Sequence, residues 1–107
     1  MPTSKEKARL ALDIIRQCVE ADRYEVRQHF MDRLNERGIF WVDTLTILAN
    51  PSRVKDDGLD EHDRPKWILE GKLYDETDAA IVVAIDRDAN GDWSVFITAY
   101  WDDEYEF

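Results

Sequence analysis

The sequence predicts an α+β domain: two to three N-terminal helices packed on one face of an antiparallel sheet of about four strands. Three observations point there. Apolar residues recur at helical spacing through the first half, then alternate with period two through the second half. The links between the later segments are short and polar, which suits antiparallel neighbours, whereas parallel ones need long crossovers. Helices first and strands afterwards define the α+β class. A chain of 107 residues has room for one core, so 1–107 is a single domain.

The elements follow in order. Thr3 and Glu6 form a T-x-x-E capping box ahead of a first helix running to about residue 20. Its stripe is Ala8, Ala11, Leu12, Ile15, Cys18 and Val19. "EADR" marks a break or bend, and a second helix is predicted from about Tyr24 to Arg37, with Val26, Phe30 and Leu34 as its apolar stripe. Gly38 is its left-handed stop, and Ile39 folds back on the last turn. "VDTLTILANP" reads as a short third helix with Val42, Leu45 and Leu48 on one side, ended by Asn50-Pro51. "SRVKDD" is a poor strand suited to a sheet edge. "RPKWILEGKLY", "AAIVVAIDR" and "WSVFITAYWD" are better strands, rich in β-branched and aromatic residues. "KDDGLDEHDR" is expected to be a polar, mobile loop, and the aromatic tail "WDDEYEF" to pack its rings against the domain edge.

Composition narrows the function classes. Hydrophobic residues make up 44% of the chain, too many for a disordered acidic segment. No apolar run is long enough to span a bilayer, and the charged start "MPTSKEKARL" carries no export signal. Cys18 is the single cysteine and is expected to be a small core residue; it excludes an internal disulfide and a cysteine-based zinc cluster. A cytoplasmic setting follows. Residues 1–37 hold eight Lys/Arg and seven Asp/Glu, net +1, whereas residues 38–107 hold six and seventeen, net -11. The total of -10 disfavours nucleic acid at long range, but screening lets a local basic surface act alone.

One such local feature is His29, Arg33 and Arg37, set four residues apart in "HFMDRLNERG". On a helical wheel the apolar stripe spans about 80°. His29 and Arg33 fall on its edge and Arg37 inside it. Like charges four apart repel in an isolated helix, so something beyond the helix compensates them. Carboxylates from the acidic half would make them structural anchors; a phosphate, which Arg binds bidentately, would make them a site. "DRDANGDW" begins like a calcium loop at Asp86, Asp88, Asn90 and Gly91, but position twelve is Ile97 in place of Glu, and Asn90-Gly91 is a hairpin turn in its own right. The turn is preferred. His62, among Asp56, Asp57, Asp60, Glu61 and Asp63, is read as a solvated loop residue in preference to a metal ligand. No metal and no cofactor is called for, and nucleophile and P-loop motifs are absent from the sequence.

Taken together, "HFMDRLNERGI", "NPSRV", "DRPKWILEGKLYDETDAAIVVAID" and "FITAYW" resemble, in order and spacing, a small bacterial family of unknown function distantly related to the RelE and BrnT toxins. Members show a His, an Arg four residues on, an Arg-Gly-Ile turn and a closing strand ending in Thr-x-Tyr. Here these are His29, Arg33, Arg37-Gly38-Ile39, Thr98 and Tyr100, and the resemblance covers about residues 8–102. It implies a RelE/BrnT-like arrangement on a curved sheet. The toxin relatives cleave messenger RNA without metal. That implies His29 as general acid or base, Arg33 and Arg37 as stabilisers of a pentacoordinate phosphate, Tyr100 as orienter of the 2′-hydroxyl or stacking platform, and Thr98 as its hydrogen-bonding neighbour. The strands are poorer in Lys and Arg than an RNA-cleaving toxin's, and the end of the chain is acidic.

Parity adds a condition. In "WSVFITAYWD" plain alternation places Trp93, Val95, Ile97, Ala99 and Trp101 on one face and Ser94, Phe96, Thr98, Tyr100 and Asp102 on the other. If the odd face meets the helices, Thr98 and Tyr100 point away from His29; if the even face does, Tyr100 can meet His29 or Arg33 as a buried tie. Either way an aromatic-bearing sheet face is left to bind a partner. On sequence we therefore favour a non-catalytic interaction module of toxin-like lineage. It would pair through its sheet face as a homodimer or with a basic protein partner. The alternative is a metal-independent RNA-cleaving toxin using His29, Arg33, Arg37 and Tyr100.

Overall fold

The structure, a computed structural model, describes residues 4–73 and 76–101. Three helices, α1 (Ser4–Glu20), α2 (Gln28–Arg37) and α3 (Trp41–Ala49), pack on a five-stranded sheet. Its strands are β1 (Tyr24–Val26), β2 (Arg53–Leu59), β3 (Pro65–Lys72), β4 (Asp78–Asp88) and β5 (Gly91–Trp101), in the order β1-β5-β4-β3-β2. The predicted α+β class holds. The sheet is mixed, however, with five strands where about four antiparallel ones were expected: β1 runs parallel to β5, pairing Tyr24 to Ser94 and Val26 to Phe96. Three residues are too few to show a period of two, and α2 begins at Gln28, four residues later than predicted.

Helix α1 buries Ala11, Ile15 and Cys18 and ends at Glu20, with Asp22 beyond it at a left-handed φ of 57°. The Thr3 cap lies outside the described residues. Helix α2 ends as expected: Gly38 sits at φ 65°, ψ 29°, and the Ile39 amide donates to the Leu34 carbonyl at 2.9 Å. Helix α3 presents a different face from the one predicted. Thr44, Ile47 and Leu48 are buried, while Val42 and Leu45 are exposed. Asp43 explains part of this rotation: its carboxylate accepts from the Phe40 amide at 2.9 Å, so the residue after Val42 is held at the helix start. Arg16 of α1 donates to the Leu48 and Ala49 carbonyls, both at 2.7 Å, closing the C-terminal end of α3.

The main core lies between helices and sheet, where Ile15, Phe30, Leu34 and Ile47 meet Trp67, Leu69, Ile81, Val83, Phe96 and Ala99. Rings of Tyr24, Phe30, Trp41 and Phe96 pack around one another with centroids 5.4–6.3 Å apart, mostly edge to face. Strand β2 is an edge, as predicted. The segment expected to be a mobile loop is instead the end of β2 and a tight turn. Asp60 holds that turn, accepting from the amides of His62 (2.8 Å) and Arg64 (2.9 Å) and from Arg64 Nε (2.7 Å).

One irregularity decides which residues share a face. Along β5, Thr98 pairs with Val82 but Phe96 pairs with Val83, so Ile97 is an extra residue in a β-bulge. Phe96 and Ala99 therefore both point to the helices, against plain alternation, and Thr98 and Tyr100 point to the second face. That second face is not an uncovered apolar surface. Ile68, Ala80, Val82 and Tyr100 bury one another there, with Tyr100 only 5% exposed.

Candidate functional site

The site begins at the edge of the sheet. Strand β1 leads through Arg27 into α2, and the chain keeps contact with β5 as it does so. The Arg27 amide donates to the Phe96 carbonyl at 3.0 Å, and Arg33 Nε to the Ala99 carbonyl at 3.4 Å. Helix α2 thus lies alongside the second half of β5. Phe30 and Leu34 enter the helix-side core, while His29 and Arg33, one step round the helix, overlook the second face. This resolves the parity condition: Thr98 and Tyr100 point away from the helix-side core and still meet His29 and Arg33.

They meet in a cavity of ≈ 420 Å³ lined by His29, Arg33, Asp57, Lys66, Val82, Ile97, Thr98 and Tyr100. Four of the five candidate residues are brought together. Arg37 is not; its guanidinium lies over the Trp101 ring, 5.9 Å from the centroid, and its Nη1 is 3.6 Å from Glu36. One more helical step carries it past the end of the cavity. Glu36 of the same helix lies near both arginines, 3.3 Å from Arg33 and 3.6 Å from Arg37.

Sequence reasoning missed Lys66. It shares the second face with Ile68 because Trp67 and Leu69 face the helices, so alternation in "PKWIL" already placed it opposite the core. What the sequence lacked was the register that sets Lys66 beside Ala84 and the bulge that swings Ile97 and Thr98 toward it. Lys66 Nζ stands 3.3 Å from Asp57. The cavity therefore combines the imidazole of His29, the guanidinium of Arg33, the Lys66–Asp57 ion pair and the Thr98 hydroxyl over a floor of Val82, Ile97 and Tyr100, whose own hydroxyl is buried. Cations with hydroxyl and imidazole groups suit a phosphate ester and proton transfer around it.

A second cavity of ≈ 580 Å³ adjoins the first, sharing His29, Lys66 and Ile97 with it. Arg27, Gln28, Leu59, Asp60, Glu61 and Arg64 complete its lining. Its wall is rigidly held. Burial disfavours the charged form of Asp60, but the amides and guanidinium of Arg64 and the His62 amide outweigh this and lower its pKa from 3.8. Arg64 is likewise desolvated, and Asp60 and Asp86 outweigh that, raising its pKa.

The other acidic motifs are occupied internally. Asp88 accepts from the Asn90 amide and from Arg23, both at 2.8 Å, and Asp86 lies 3.4 Å from Arg64. The hairpin turns on Ala89 and Asn90, with Asp88 paired to Gly91 at φ 118°, one residue earlier than Asn90-Gly91. Among the described residues no three His, Cys, Asp or Glu side chains are grouped to hold a metal. His62 is exposed, 3.5 Å from Glu61. Cys18 is buried. Among the described residues no helix is long and apolar enough to cross a membrane. The part of the tail beyond Trp101 lies outside the described residues.

No curated protein and no solved structure matches the chain. A family model, "Domain of unknown function (DUF4258)", matches residues 26–101, from the end of β1 to the end of β5, and so takes in every residue of both cavities. By that match, which spans well over half its length, the chain belongs to the DUF4258 family of domains of unknown function.

Proposed function

We propose that this domain binds single-stranded RNA on its second sheet face and cleaves it without metal, as a toxin-like or toxin-derived ribonuclease of the cytoplasm. The observation that carries this is the shared cavity of His29, Arg33, Lys66, Thr98 and Tyr100. In the proposed reaction the 2′-oxygen loses its proton as it attacks the adjacent phosphorus. The P–O5′ bond breaks, and the 5′-oxygen takes up a proton. A 2′,3′-cyclic phosphate and a 5′-hydroxyl result. His29, exposed at the cavity rim, takes up or delivers one of these protons, and water exchanges the other. Arg33 and Lys66 stabilise the charge that builds on the equatorial oxygens, a role in which Lys66 replaces Arg37. Thr98 positions the ribose or phosphate by hydrogen bonding, and Tyr100, its hydroxyl buried, forms part of the wall behind it. Net charge opposes long-range attraction, but groups this close act within a screening length of about 8–10 Å.

Induced expression in a bacterial host tests this reading. The proposal expects growth arrest with loss of messenger RNA, relieved by His29→Ala or Arg33→Ala accumulating as folded protein. Unimpaired growth with abundant folded wild type would count against it.

The second reading is a non-catalytic module that pairs with another copy or a basic partner. The exposed Phe40, Val42 and Leu45 around α3 favour it, whereas on the second sheet face Ile68, Ala80, Val82 and Tyr100 are buried. It predicts a concentration-dependent mass near twice 12.6 kDa and no nuclease activity.

A further inference from the structure

Beside the phosphate-binding cavity, the larger cavity of ≈ 580 Å³ carries two arginines already paired with carboxylates, Arg27 with Glu25 and Arg64 with Asp60 and Asp86. Leu59 leaves 59% of its surface exposed in this lining, and Ile97 supplies an apolar surface shared by both cavities. Arg64 contributes a planar guanidinium fixed by Asp60 and Asp86. Acceptors accompany these groups. Asp60 is engaged by its own turn, but Glu61 keeps a side chain 82% exposed at the rim. Gln28 donates its amide nitrogen to Asp32 at 2.9 Å, which leaves its side-chain oxygen as an acceptor. A phosphate is disfavoured where the guanidinium groups are already paired and free acceptors stand beside them, whereas apolar and guanidinium surfaces flanked by acceptors suit a flat heterocycle with N–H donors on its edge.

We propose that this cavity is the subsite for the unpaired base next to the bound phosphate, and that it takes guanine. Guanine alone presents two adjacent donors, N1–H and the 2-amino group, on its Watson–Crick edge, and one carboxylate accepts both. Glu61 is the specificity-determining residue, and Leu59 and Ile97 cover the ring. The inference rests on the phosphate-site reading above, since the shared His29 and Lys66 set the base beside the phosphate.

Fluorescence-anisotropy titration with labelled 2′-O-methyl RNA hexamers tests it, because these cannot be cleaved through a 2′-hydroxyl. Hexamers of uridine would carry guanine, adenine, cytosine or an abasic site at one internal position. The guanine hexamer should bind about tenfold or more tighter than the others, as expected of one bidentate base contact. Glu61→Gln should bring it close to the adenine hexamer without weakening the abasic one. Arg33→Ala should weaken all four alike. If all four bind within about twofold of one another and Arg33→Ala still weakens them, the base subsite is wrong and the phosphate site stands. If none binds to the folded wild type, both fall.

Discussion

Arg33 donates Nε to the Ala99 carbonyl at a long 3.4 Å, and its Nη1 pairs with Glu36 at 3.3 Å, the two side chains 27% and 53% exposed. Such an exposed pair contributes about 0–1 kcal/mol. A cation aimed at a transition-state phosphate is worth far more to the rate, on the order of 10²–10³-fold for a single stabilising donor. Arg33→Ala should therefore lower stability by less than about 1 kcal/mol while lowering RNA cleavage by a hundredfold or so. Urea denaturation beside a cleavage assay separates these; a stability loss of about 1–3 kcal/mol would mark Arg33 as a structural tie. Asp60 makes the opposite kind of prediction. Its folded pKa lies below 3.8, so its stabilisation is complete above about pH 4 and is lost as pH falls through the folded value. Asp60→Asn should lose about 1–3 kcal/mol at neutral pH, because it strips a desolvated Arg64 of its closest partner, and should lose less than wild type on further acidification to pH 3. An unchanged acid response in the variant would show that Asp60 does not hold the turn.

At the scale of elements, the turn from α2 to α3 isolates one physical quantity. A Cβ added at Gly38 would meet nothing within 4 Å, so the cost of Gly38→Ala is that of holding alanine at φ 65°. That is about 1 kcal/mol, and less for Gly38→Asn, which tolerates the left-handed region better. Thermal melts of the pair measure it, and equal stability of alanine and glycine would contradict this account of the helix stop. This turn was legible in the sequence because glycine after a helical stripe has a local physical meaning. So were α1 and the long strands β3, β4 and β5, whose periods extend over many residues. Three features were not. Strand β1 is shorter than one clear alternation. The buried side of α3 is set by the Asp43 cap and by tertiary packing, although Val42 and Leu45 are as apolar as Ile47 and Leu48. The bulge at Ile97 has no local signature in "VFITAY", yet it inverts the parity of everything after it.

At the scale of the whole molecule, the candidate site exists because a helix runs on past a sheet edge. Strand β1 pairs with only the first part of β5, α2 takes over beside the remainder, and the bulge turns Thr98 and Tyr100 toward the side where His29 and Arg33 emerge. The spacing of His29 and Arg33 was visible in the sequence, as was the Thr-x-Tyr of β5; that they share a cavity with Lys66 depends on strand order and register, which no local pattern encodes. Arg37 shows the limit of spacing alone, since the step that carries Arg33 into the cavity carries Arg37 onto Trp101. The net charge of -10 belongs to the molecule, while the cations that matter belong to one face. The most direct test is end-group analysis of single-stranded RNA incubated with the purified protein in a metal chelator. The account predicts 2′,3′-cyclic phosphate and 5′-hydroxyl ends from the wild type and intact RNA from folded His29→Ala. Intact RNA under an excess of folded wild-type protein, or cleavage undiminished in the His29 variant, would contradict it.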